Sequence, residues 1–113
     1  MLGCRKPDRG RPDIAIEHHI APSPPHVGPV SVTLQLSGPG GKAIGGAHIG
    51  LEAEMSHPGM APQFADAHEV AAGQYEGRLN LTMAGDWVIL IHGHLAGGGK
   101  LERQFEVKGV TAD

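Results

Sequence analysis

The sequence predicts an all-β fold, an immunoglobulin-like antiparallel β-sandwich of about seven strands. Short runs in which apolar and polar residues alternate with period two recur along the chain, the signature of half-buried strands. Eighteen glycines and nine prolines among 113 residues fall between those runs, where they act as turn punctuation. No stretch carries the 3.6-residue period of a long amphipathic helix. A chain of this length fits one domain with a real core, so residues 14–110 are read as the sandwich and residues 1–13 as a flexible leader.

The first strand is expected at Ile14, Ile16, His18 and Ile20, which alternate with Ala15, Glu17 and His19. His18 and His19 then point to opposite faces. Ala21–Pro29 holds four prolines besides His26 and must be an extended connection. Val30, Val32, Leu34 and Leu36 mark the second strand, and the glycine-rich segments 38–42 and 45–46 are turns. A third strand sets Ala47, Ile49, Leu51, Ala53 and Met55 on one phase, against His48, Gly50, Glu52 and Glu54 on the other. Residues 61–71 alternate weakly, and they read as a crossing between sheets or a short strand with Phe64 and His68. Tyr75, Leu79, Leu81 and Met83 share one phase of the next strand, which places Met83 in the core. Trp87–Leu95 is apolar on both phases in its first half, as in a strand covered on both sides. Gly97-Gly98-Gly99 then closes a hairpin onto Leu101, Arg103, Phe105 and Val107.

Charge and composition remove several functions. The net charge of −3 comes without a basic patch or stripe, which argues against nucleic acid as a partner. Four aromatic residues make no stacking platform for sugars or single strands. There is no nucleophile elbow, no phosphate-cradling glycine motif in a strand-to-helix context, no H-E-x-x-H and no framed carboxylate pair, so no enzymatic activity is expected.

The chemistry concentrates in Met55-Ser56-His57-Pro58-Gly59-Met60. Thioethers are soft ligands that favour Cu(I), and imidazole suits Cu(I), Cu(II), Zn and Ni, so a mixed Met/His set points first to copper. Pro58 biases His57 toward an extended conformation and Gly59 supplies a turn, which lets Met55, His57 and Met60 converge. Methionine also fills irregular core gaps, and that packing role is the alternative. His68 is the fourth candidate, eight residues beyond Met60. His92 and His94 are the second choice, two imidazoles at i and i+2 on one strand face with Gly93 between. His26 and His48 read as surface residues. Glu17, Glu52, Glu54 and Asp66 are harder ligands that suit zinc if the metal is not copper.

Three segments together carry a family resemblance: "GPVSVTLQLSGPGGKAIGGAHIGLEAEM", then "MSHPGM", then "AAGQYEGRLNLTMAGDWVILIHG". In this order of parts the chain resembles the YtkA-like domain family, which includes the FixH-like proteins, over roughly Pro29–Gly93. The resemblance implies a small extracytoplasmic sandwich, often tethered to a membrane and associated with copper handling or haem-copper oxidase assembly. A membrane-associated metalloprotein or oxidase assembly partner is implied with it. His18, His19, His92 and His94 are extra to that pattern. Leu2-Gly3-Cys4 in turn resembles the tail of a bacterial lipoprotein signal, whose cysteine becomes the lipidated first residue of the mature chain. Met1 stands where an apolar residue such as leucine is typical, and no hydrophobic run precedes it in this sequence. Lipidation at Cys4 implies a periplasmic or cell-surface domain that meets the membrane through its lipid anchor only. The alternative function is an immunoglobulin-like interaction domain, tethered in the same way, that binds no metal.

Overall fold

A computed structural model describes residues 13–55 and 61–112 of the chain. Seven antiparallel strands form one sheet that curls on itself: β1 (Ala15–Ala21), β2 (Gly28–Ser37), β3 (His48–Met55), β4 (Gln63–Ala71), β5 (Gln74–Leu81), β6 (Gly85–His94) and β7 (Lys100–Val110). Their order across the sheet is β1-β2-β5-β4-β3-β6-β7. Period-two patterning decides what each strand buries. Val30, Val32, Leu34 and Leu36 of β2 face Tyr75, Leu79 and Leu81 of β5, Ile49, Leu51 and Ala53 of β3, and Trp87, Ile89 and Ile91 of β6, all of them buried. The lipoprotein reading of Cys4 lies outside the described residues.

The weakly alternating segment 61–71 is the strand that makes the curl. Its first half pairs with β3, with Ala67 opposite Ile49, and its second half pairs with β5, with His68 opposite Glu76. The change of partner falls between Ala67 and His68, and a register shift follows within the β5 pairing, between Glu69 and Ala71. Only Ala67 of β4 is buried, which explains why the segment lacks a clean apolar phase. At this corner the backbones come very close. A β-carbon on Gly77 would stand 2.8 Å from the Asp66 carbonyl oxygen, 2.9 Å from Leu51 Cδ1 and 3.2 Å from Ala67 Cα. Below the corner, the Tyr75 hydroxyl donates to the Ile44 carbonyl at 2.8 Å and accepts from the Ala47 amide at 3.0 Å, which ties the 38–47 connection to the core.

The two sheet edges, β1 and β7, run parallel and meet through side chains and a short bridge. His18 stacks on Phe105 with ring centroids 3.8 Å apart and planes 13° apart. Arg103 donates to the Ile14 carbonyl at 2.6 Å. Beyond β1, the Val27 amide donates to the Thr111 carbonyl at 2.7 Å, and His26 Nδ1 lies 2.8 Å from Thr111 Oγ1. His26 is therefore half-buried in a structural contact and is not the free surface residue its connection suggests. Three other sequence expectations change. Met83 is 46% exposed, because β5 ends at Leu81 and the turn lifts the next in-phase residue out of the core. Phe105 is half-buried, since it sits at the open edge against His18. Val88 and Leu90, on the outer phase of β6, are half-buried between neighbouring strands; no second layer covers them among the described residues.

Two outcomes follow from these contacts. Gly77→Ala should destabilise the domain by about 1–3 kcal/mol, the usual cost of forcing a methyl group into packed backbone, read as a lower urea midpoint at unchanged m-value. The second concerns pH. Burial against the β7 edge, and next the adjacent His19, lower the pKa of His18 from its ordinary value near 6.5. The unfolded chain thus binds this proton more readily. The His18 contribution is complete above pH 6.5 and is lost as pH falls through the lower folded value. His18→Phe should keep the stack and flatten the decline in stability between pH 7.5 and 5, measured by urea unfolding at several pH values.

Candidate functional site

Met55 is the last residue of β3 and sits at the rim of the core, 9% exposed, opposite Trp87 in the β3–β6 register. Its methyl group reaches Gly85, where an added β-carbon would meet Met55 Cε at 3.0 Å. The 82–84 turn closes over this end. Within it the Met83 carbonyl accepts a hydrogen bond from the Trp87 indole N–H at 2.9 Å, and the Met83 side chain projects outward. One tryptophan thus packs beside the first thioether and fixes the turn that carries the second. Sequence reasoning missed Met83 because its phase matched Leu79 and Leu81; the turn signal Ala84-Gly85 immediately after it was the available clue.

His57 and Met60, the other members of the predicted soft set, lie outside the described residues. His68 does not join Met55. With Ala67 opposite Ile49, His68 stands level with the start of β3, seven residues or roughly 23 Å from Met55 at about 3.3 Å per residue. It is exposed on the outer face between Asp66 and Val70.

The remaining candidates share the outer face of β3, β6 and β7. The register places His94 opposite His48 and His92 opposite Gly50, with Lys100 and Glu102 next to them on β7. His92 is clamped: its Nε2 lies 3.0 Å from Glu52 Oε1 and its Nδ1 3.4 Å from Glu102 Oε2. Glu54 lies two residues on along the same strand face. Its carboxyl, and then the hydrogen bond with His92, hold Glu52 below the usual carboxylate range, and the neighbouring Glu52 pushes Glu54 up. Among the described residues no group of three His, Cys, Asp or Glu side chains is placed to hold a metal ion. A thioether site draws on a different residue type, and the Met55–Met83 end offers soft donors that fit copper rather than zinc.

At the bottom of the sandwich Glu69 performs a structural task. Its carboxylate accepts from the Gly46 amide at 2.9 Å and the Gly73 amide at 3.1 Å, joining two turns, and these bonds lower its pKa. Glu17 is exposed on β1, on the far side of the sheet order from the β3–β6–β7 face.

No curated protein and no solved structure matches the chain. Comparison with known families is informative: residues 15–92, from the first strand through His92 of β6, match the family described as YtkA-like. The match takes in the strand pairs that build the curl, the Met55 end and the Trp87 turn, and it covers well over half of the sequence; the chain belongs to the YtkA-like family.

Proposed function

We propose that this domain is a copper-binding or copper-transfer module that works outside the cytoplasm, holding Cu(I) at the end of the sandwich where β3 and β6 meet. The observation that carries the reading is that a rim thioether, Met55, stands opposite Trp87 in register, while the Trp87 indole holds the turn that carries a second, exposed thioether, Met83. Met60 and His57 follow Met55 closely in sequence and complete the proposed donor set. Thioether and imidazole donors suit Cu(I), and a site at a strand end can surrender its ion to a partner without opening the core. No catalysis is assigned to it. In this reading lipidated Cys4 tethers the domain to a membrane, and the recipient is a membrane-associated metalloprotein such as a haem-copper oxidase under assembly. Family membership supports the fold and is consistent with copper handling; the donor chemistry supports the metal.

The test uses Cys4→Ser protein, because a free thiolate is itself a soft copper ligand. Cu(I) titrated under reducing conditions should bind with one-to-one stoichiometry and quench the fluorescence of Trp87, the sole tryptophan. Met55→Leu combined with Met60→Leu should weaken Cu(I) binding at least 100-fold, and Met83→Leu by a smaller factor. Their unfolding midpoints should move little, since Leu for Met keeps size and apolarity. Cu(I) affinity unchanged in the Met55/Met60 double variant would overturn the assignment and leave the interaction-domain reading in its place.

A further inference from the structure

We infer a second metal site, for a divalent cation of the Cu(II) or Ni(II) type, on the outer face of the sheet, where His48 and His94 face each other across β3 and β6. It does not depend on the thioether site, because His48 is seven residues along β3 from Met55, roughly 23 Å at about 3.3 Å per residue.

Side chains directly opposite on antiparallel strands have β-carbons about 4.5–5.5 Å apart. Two imidazoles so placed can swing onto one ion at about 2.0–2.1 Å from each nitrogen by rotation about χ1 and χ2 alone. Both residues are exposed, and neither imidazole has a hydrogen bond or ion pair with any other described residue. Nothing has to be broken to recruit them. The floor beside them is also clear: Gly50 stands next along the row, and an added β-carbon there would meet only the His92 carbonyl oxygen, at 3.9 Å.

His92 is the nearest further imidazole. It lies two residues from His94 on the same face of β6, but its ring points to Glu52 and Glu102 and must turn toward the pair to join them. Of its two carboxylate contacts, the one to Glu102 is long at 3.4 Å and the one to Glu52 is 3.0 Å. Releasing Glu102 frees Nδ1 for the ion, while Glu52 stays on Nε2 and orients the ring, the arrangement in which a carboxylate behind a ligating histidine strengthens it as a donor. Lys100, the register partner of His94 on β7, opposes a cation, and its long exposed side chain can turn away from the facet. Imidazole donors suit divalent Cu and Ni, whereas thioethers favour the soft Cu(I), so only the facet of histidines is matched to divalent ions.

The test again uses Cys4→Ser protein, with Cu(II) and Ni(II) salts as probes. One Cu(II) per chain should bind, with nitrogen hyperfine splitting in its electron paramagnetic resonance spectrum, and broadening of amide signals should centre on 48–50 and 92–94. His48→Gln and His94→Gln should each weaken binding at least tenfold, and His92→Gln by a smaller factor. His19→Gln and the Met55/Met60 double variant should bind as the parent does, which separates this site from the copper(I) end. Because broadening is read on the unaltered histidines, it does not depend on how the variants fold. Broadening centred elsewhere, or parental affinity in a His48→Gln/His94→Gln protein, would sink the proposal.

Discussion

The fold depends on one strand having two sets of partners. β4 bonds to β3 with its first half and to β5 with its second, so what would otherwise be two packed sheets is a single sheet bent through its middle. Backbone can turn that corner only if the opposing strand approaches without a side chain. Gly77 provides the approach, with the Asp66 carbonyl and Leu51 standing where a β-carbon would be. Once the sheet is bent, the inward phases of β2, β5, β3 and β6 enclose a common core, and β1 and β7 come together at the opposite side.

Bending also sorts the chemistry by position. Strands β3 and β5 run in the same direction, so the β3 terminus and the β5–β6 turn emerge at one end, where Trp87 stands opposite Met55 and bonds to the Met83 carbonyl. The histidines of β3 and β6 emerge at the other end of the same pair of strands, on the solvent face. Soft sulfur and borderline nitrogen donors are therefore kept apart by the length of a strand. A module that met copper in both oxidation states would gain from that separation, because each ion finds its preferred donors without competition from the other set.

Donor availability differs as much as donor type. His92 is held between two carboxylates, and Glu54 lies beside Glu52 on the same strand face, so that part of the face is a charged network. His48 and His94 are outside it. His18 and His26 are used in closing the sheet edges, against Phe105 and Thr111. The described histidines thus divide into structural ones, a clamped one and ones with no partner among the described residues, and that division follows from contacts.

What the sequence determined by itself was the set of strands and which face of each is buried. Alternation is a local property, and the clean rows of Val30–Leu36, Ile49–Met55 and Tyr75–Leu81 needed no partner to be legible. The same was true of the softness of the Met/His donors. Tertiary structure alone decided where those rows end and what lies across from each. It put Met83 outside because the turn begins after Leu81, left Phe105 half-exposed at the edge, and gave β4 two partners that a strand with one buried residue could not announce. It also moved His68 far from Met55 and set His48 against His94, since register between strands distant in sequence is a relation between segments, absent from the pattern of either one.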